Sequence, residues 1–441
     1  MSGTEPPAPG RALPATEPPA PGRALPAAEL PAPGRALPAA ELPAPGRGLP
    51  AAELPAPGCG LLDAEPPASN RGPLDAEWRA EAARAQERAL PAGHVVVSCA
   101  ASLGVAGLGR HAHEIVDALE RRGEGSSFCI SAHDSDEGGG SWRGASRRRA
   151  LARALGPLGR VSPARRVSRA WGEFDRYAAN RLPRGEHLIA FSGQALAQLG
   201  AAHEQRYRSV ALVSGGVHVR SLVRRHEAAH RRYPLERSHA RRVPERQLLE
   251  YEQAHRIYVA SAYTWESFAE HGAGAEKLER FPLTPHPRFQ PAAGSERAAT
   301  FDLVYVGGLS VAKGVPLLID AMRRLPYEDL RLVLVGGWKS RGMRRFVERA
   351  RAADPRIGVV AGDPLPYLQR ARLCAHPSYA DGFAYGAAEA LACGVPVLAS
   401  EDTGMKELIE PGRTGMVLPT GDLEALSEAI DSAYRGELFG G

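Results

Sequence analysis

From His94 onward one pattern recurs: a short apolar run, stopped by Gly, Pro or Ser, then a stretch long enough for a helix. Such runs are His94–Ser98, Phe128–Ser131, His187–Phe191, Ser209–Ser214, Arg256–Ser261, Phe301–Val306, Leu330–Val335, Ile357–Ala361, Leu373–His376, Val395–Ser400 and Thr414–Pro419. Strands this apolar are buried on both faces, and helical crossovers make them parallel, so the pattern predicts an α/β chain. It breaks at the polar, Pro-containing stretch Pro291–Ala299, which predicts a hinge. The expected architecture is two tandem Rossmann-like, doubly wound parallel-sheet domains, residues 93–293 and 299–441. Their facing strand ends would leave a cleft.

Residues 1–92 stand outside this pattern. A twelve-residue unit, RALPAAELPAPG, recurs from Arg11, Arg23, Arg35 and Arg47 and decays after Cys59. Its prolines deny regular helix or sheet, and its few large apolar groups cannot offset the entropy of ordering. A disordered or polyproline-like tail is expected, with a helical lead-in composition from Leu74 to Leu90.

The net charge of +5 over 441 residues gives no reason to expect nucleic-acid binding. Arg143–Ala170 is locally basic, with nine Arg and no acid. Helical spacing there would make a basic amphipathic surface, read either as a solvated face or as a contact for lipid or an anionic acceptor through Arg143–Arg169. The five cysteines show no CxxC and no His-paired spacing, which excludes a zinc framework and suits a reducing cytoplasm. No apolar run approaches the roughly 18 residues of a membrane span, and no secretory signal opens the chain.

Three stretches carry chemistry. Gly104, Gly107 and Gly109 form a short loop between a strand and a helix, readable as a tight turn or a phosphate loop. The order is G-x-x-G-x-G, and no acid closes the next strand, so a nicotinamide dinucleotide site is poorly formed. Gly307–Gly314 (GGLSVAKG) places glycine N–H groups, a helix start and Lys313 together, which suits an anion. In Leu373–Leu408, Asp381 precedes an alanine-rich helix, expected from Ala384 to Ala392. Glu389 is the only charge between Gly382 and Ser400 and so needs a partner.

Pro377, Ser378, Asp381, Gly382, Phe383, Glu389, Ala392, Cys393, Gly394, Pro396 and Val397 together resemble the donor-sugar site of family-4 retaining glycosyltransferases (glycosyl transferases group 1), whose fold is GT-B. The family's first acid is usually Glu; Asp381 is one methylene shorter. The resemblance implies that Glu389 binds the ribose hydroxyls. It implies that Asp381 and the N–H groups of Gly382, Phe383 and Ala384 hold the sugar. Gly308 and Lys313 would contact the diphosphate, with Gly107 and Gly109 facing it from the other domain. Many relatives carry Arg at Gly308, which leaves Lys313 as the main cation. His218, after a strand end, matches a histidine that relatives place near the sugar, and Glu407 fits the family's Gly-x-x-Glu or caps a helix.

The implied catalytic set is His218, Lys313 and Asp381. The implied reaction is metal-independent and retaining, without a cofactor beyond the nucleotide-sugar donor. The acceptor would be a glycan, lipid or small molecule. The alternative is a catalytically degenerate sugar-nucleotide-binding protein. A cytoplasmic site, peripheral at the inner membrane face, is expected. Relatives usually continue past the last helix, so a shortened C-terminus at Gly441 is also an expectation.

Overall fold

Thirteen strands build two all-parallel sheets in the computed structural model, which describes residues 74–101, 104, 106–123, 128–131, 143–146, 163–236, 244–292 and 300–439. β1 (Val95–Cys99), β2 (Phe128–Ser131), β3 (Arg143–Ser146), β4 (His187–Phe191), β5 (Ser209–Ser214), β6 (Arg256–Val259) and β7 (Leu278–Arg280) make the first sheet. Their spatial order is β3-β2-β1-β4-β5-β6-β7. The second sheet contains β8 (Phe301–Val306), β9 (Leu330–Val335), β10 (Ile357–Val360), β11 (Leu373–His376), β12 (Val397–Ser400) and β13 (Gly415–Leu418), in the order β10-β9-β8-β11-β12-β13. The expected pair of doubly wound parallel sheets is present, one in each lobe of the molecule.

Both orders reverse direction once. The first sheet winds outward from β1 in one direction and from β4 in the other; the second does the same from β8 and β11. At such a switch point adjacent crossovers leave to opposite faces, and a crevice opens beyond the strands' carboxyl ends. In the second sheet the pairs Leu303↔Leu373 and Val304↔Cys374 therefore fix where a ligand can enter between two loops.

The helices follow from apolar spacing and caps. α1 (Ala76–Ala89) starts at Asp75, whose carboxylate accepts from the Trp78 N–H at 3.0 Å. α2 (Ala106–Arg122) packs Ala112, Ile115, Val116 and Leu119 against β1 and β4. α3 (Pro163–Ala179), α4 (Leu196–Glu204), α5 (Val219–Arg232), α6 (Pro244–Gln253) and α7 (Ala262–Ala269) complete the first lobe. α8 (Val315–Arg323), α9 (Arg341–Ala353), α10 (Leu365–Arg370), α11 (Tyr385–Ala392) and α12 (Leu423–Tyr434) cover the second. There Tyr305, Leu318, Leu332, Met343 and Ile430 share one buried core.

Several expectations change. Residues 74–92 do not belong to an unstructured tail: Leu74, Ala82, Ala85 and Ala89 are buried, and the Gln86 amide donates to the Pro282 carbonyl at 2.8 Å. The repeats before residue 74 lie outside the described residues. Gly107 and Gly109 stand in the first turn of α2, not in a loop, because the helix begins at Ala106. Arg143–Ala170 is not one helix. Its first four residues pair with β2 as an edge strand, residues 147–162 lie outside the described residues, and Pro163 opens α3. Between β5 and β6 the chain forms two helices, α5 and α6. α10 escaped the pattern because it has six residues and Pro near its start. No helix among the described residues is long and apolar enough to cross a membrane.

Candidate functional site

The switch point of the second sheet gathers the loop after β8 and the loop after β11. Lys313 on the first forms an ion pair with Asp381 on the second. The Nε2 of His376, the last residue of β11, meets the same Asp381 oxygen at 2.9 Å. Tyr305 of β8 stacks under the His376 ring, with centroids 5.8 Å apart, and its hydroxyl donates to the Gly308 carbonyl at 3.1 Å. Burial pushes the Asp381 carboxyl up, but the Lys313 ammonium and the His376 contact outweigh it and hold the group well below the usual carboxylate range. Asp381 is thus a fixed anion with Lys313 as its counter-ion.

Glu389 lies on α11 and is 2% exposed. The partner its burial demands comes from the other lobe: Arg110 of α2 reaches Glu389 Oε1 at 2.5 Å. Burial raises the Glu389 pKa, and Arg110 only partly offsets this. The Arg110 guanidinium also lies 4.2 Å from the centre of the Tyr385 ring. The Tyr385 hydroxyl donates to Glu114 Oε1 at 2.6 Å, while Gln86 and the Thr284 N–H each donate to Glu114 Oε2 at 2.9 Å. Burial pushes Glu114 up to about 7 despite these donors.

The lobes touch closely around Asp381. A Cβ on Gly382 would stand 2.7 Å from the Gly215 carbonyl oxygen, so only glycine permits this approach. The Ser261 hydroxyl donates to the Gly382 carbonyl at 2.7 Å. Phe383 is buried within the core of the first lobe, and Ala384 takes a left-handed conformation (φ 67°) as it turns into α11. The Val311 N–H of the glycine loop donates to the Glu236 carboxylate, which follows α5, at 2.8 Å. Asp402, whose carbonyl accepts from the Asp381 N–H, pairs with Arg225 of α5. Beside this pair a cavity of about 250 Å3 is lined by Ser221, Arg224, Tyr263, Glu266, Glu401 and Lys406, among others.

His218 and Glu407 are both tied into the fold. The His218 backbone N–H donates to Ser267, and its ring caps α5 by accepting from the Arg220 N–H at 3.3 Å. The ring packs against His271, Tyr251 and Phe268, and burial pushes its pKa down to about 4. His218 is 5% exposed and uncharged, packed among first-lobe core side chains. Glu407, expected in the family's Gly-x-x-Glu or as a helix cap, meets the first residue of α7. One oxygen accepts from the Ala262 N–H and the other from Arg280, both at 2.9 Å, which ties the lobes together. Gly107 is exposed and Gly109 buried in the first turn of α2, and it is the next residue, Arg110, that meets the second lobe.

Arg110, Glu114, His376, Tyr305 and Glu236 were missed by sequence reading. His376 had one usable signal, a polar residue ending a buried strand just before the Pro377-Ser378 stop. The others depend on contacts between distant segments.

The family described as glycosyl transferases group 1 matches residues 300–435. The O-antigen chain mannosyltransferase B of Escherichia coli is 33% identical over 135 residues, 29% of this chain and 35% of that protein. The D-inositol 3-phosphate glycosyltransferase of Paenarthrobacter aurescens is 30% identical over 158 residues, 33% of this chain and 39% of that one. The matched segments span little more than a third of these curated relatives. Among solved structures, the sucrose-phosphate synthase of Thermosynechococcus elongatus superimposes with a TM-score of 0.60, covering 78% of this chain and 90% of that one at 19% identity. The Anabaena protein HepE, solved with UDP and glucose, gives a TM-score of 0.54 over 78% and 91% at 17% identity. The structural likeness extends over both lobes, far beyond the segment that the sequence matches.

Proposed function

We propose that the chain, whose residues 300–435 match the glycosyl transferases group 1 family and whose two lobes have the GT-B fold, moves a sugar from a nucleotide-diphosphate sugar to an acceptor hydroxyl, with retention of anomeric configuration. The observation that carries the reading is the Lys313–Asp381 pair at the switch point of the second sheet, with Glu389 eight positions along the chain. The diphosphate lies along Gly307–Gly314 beside Lys313, and Gly107 and Gly109 face it from the first lobe. The N–H groups of Gly382, Phe383 and Ala384, together with the Asp381 carboxylate, hold the sugar. Glu389 accepts the ribose hydroxyls once Arg110 swings from it.

The reaction needs little from the protein in bond-making terms. The bond between the anomeric carbon and the phosphate oxygen breaks, and the acceptor oxygen bonds to that carbon from the same face. The acceptor proton passes to the departing phosphate. Lys313 and the loop N–H groups stabilise the charge that grows on the leaving group, which is electrostatic catalysis by preorganised donors. The setting is the cytoplasm, where buried thiols such as Cys374 and Cys393 stay reduced.

The test is a thermal-shift screen of the full chain with UDP-, GDP- and ADP-sugars, repeated with Glu389→Ala. A hundredfold excess over Kd adds about 2.7 kcal/mol to stability. A shift with one nucleotide-sugar, lost in the variant, supports the reading and names the donor class. Binding without hydrolysis or transfer to any acceptor assigns a nucleotide-sugar-binding role instead. No shift with any of them removes the reading.

A further inference from the structure

The loop proposed to hold the diphosphate carries less positive charge than its sequence suggests. Lys313 is neutralised by Asp381, and Arg110 by Glu389. A cation without a carboxylate partner would add to the attraction that Lys313 offers a diphosphate.

The loop after β9 supplies one. It is stitched to the loop after β8: the Leu309 N–H donates to the Gly337 carbonyl at 2.9 Å, and the Lys339 N–H donates to the Leu309 carbonyl at 3.2 Å. The next residue, Ser340, caps α9 by accepting from the Met343 N–H at 3.0 Å, so the backbone of Lys339 is held on both sides. Its side chain runs across Gly308: a Cβ there would stand 2.3 Å from Lys339 Cε and 3.4 Å from its Cδ and Cγ. Lys339 is exposed, and among the described residues it makes no ion pair. The missing side chain at Gly308 is thus the channel through which a lysine from the neighbouring strand end reaches the glycine loop.

We propose that Lys339 is a donor-phosphate ligand, its ammonium supplying the uncompensated positive charge that binds the diphosphate over Gly308. This rests on the nucleotide-sugar reading above. A lysine serves as a point charge here, on a stem long enough to follow the phosphates as they move.

The experiment titrates the full chain by calorimetry with UDP, GDP and ADP and with the matching nucleosides, comparing wild type, Lys339→Met, Lys339→Arg and Glu389→Ala. Loss of one charge-assisted contact predicts that Lys339→Met weakens the best nucleoside diphosphate about tenfold to a hundredfold. The nucleoside, which has no phosphate, binds Lys339→Met as it binds wild type, and Lys339→Arg recovers most of the lost affinity. Unliganded melting of Lys339→Met stays at the wild-type temperature, since the side chain is exposed. If wild type binds a nucleoside diphosphate, Glu389→Ala loses it and Lys339→Met keeps it, the donor reading stands and the role of Lys339 is overturned. If wild type binds none of the diphosphates, both fall together.

Discussion

One oxygen of Asp381 takes both Lys313 and His376, and this decides what the residue can do. A carboxylate held that far below its usual range is a poor proton acceptor at neutral pH. Its value to a transfer reaction is as a fixed negative charge and hydrogen-bond acceptor. Asp381→Asn keeps the shape and removes the charge. It is expected to cut turnover about a hundredfold or more. Diphosphate affinity should not weaken, because Lys313 is released; turnover assays beside calorimetry measure the two effects separately, and a variant that loses diphosphate binding would make the pair a loop brace. Glu114 makes a pH prediction of the opposite kind. Its pKa is raised by burial from 4.5 to about 7, so between these values the folded state holds a proton that the unfolded state has released. Stability associated with this group is therefore full below about pH 4.5 and declines as pH rises through about 7. The cost at pH 8 is on the order of 3 kcal/mol. Glu114→Gln, which stays neutral, should melt higher than wild type at pH 8 and show a flatter melting profile between pH 5 and 8. Parallel profiles for the two proteins would contradict the shifted carboxyl.

At the scale of elements, α1 is a structural member of both lobes. Its Arg79 donates to the Pro285 carbonyl at 2.5 Å, Leu74 packs with Phe289, and the Tyr258 hydroxyl donates to the Ala89 carbonyl at 3.0 Å. A chain begun at Gly93 loses these contacts and exposes the apolar groups beneath, so it should melt well below a chain begun at Gly72; matched melting of the two would refute the role of α1. Most of the strand order was legible because fully buried parallel strands have to be apolar throughout and have to stop at Gly, Pro or Ser; β3 (RGAS) and β7 (LER) lack that pattern. Lys313, Asp381 and Glu389 were legible because each is charged within an apolar or glycine-rich run. The rest of the site was not legible, because it is made by segments far apart in sequence. Arg110 meets Glu389 across 279 positions, and Glu236 meets Val311 across 75. Lys339 crosses Gly308 only because β8 and β9 are neighbours. The surroundings of His218 were hidden for the same reason: its helix cap is local, but its ring neighbours Tyr251, Phe268 and His271 lie far along the chain.

At the scale of the whole molecule, each lobe inserts apolar groups into the other. Phe383 of the second lobe, 4% exposed, joins the first lobe's core beside Ala388. Ala229, Tyr233 and Leu235 of the first lobe pack into the second lobe's core, and the Tyr233 hydroxyl donates to Asp320 at 2.7 Å. Beside hydrogen bonds such as Tyr385–Glu114, Ser261–Gly382 and Val311–Glu236, ion pairs run from first-lobe arginines to second-lobe acids: Arg110–Glu389, Arg225–Asp402 and Arg280–Glu407. Such pairs recover little beyond the cost of desolvating their charges, so they specify how the lobes meet more than they hold them together. Cohesion should then come from the apolar inserts, and Phe383 is the one beside the proposed sugar site. Phe383→Ala removes a buried ring, a change that costs about 3–5 kcal/mol in a core. Because that ring sits in the first lobe's core while its backbone belongs to the second lobe, the loss falls on the coupling between the lobes. Calorimetry of wild type is expected to give one cooperative endotherm, and Phe383→Ala two resolved ones. Glu407→Gln, which alters only a polar bridge, should keep one. A single endotherm from Phe383→Ala, merely shifted to lower temperature, would mean that the lobes are coupled through other contacts.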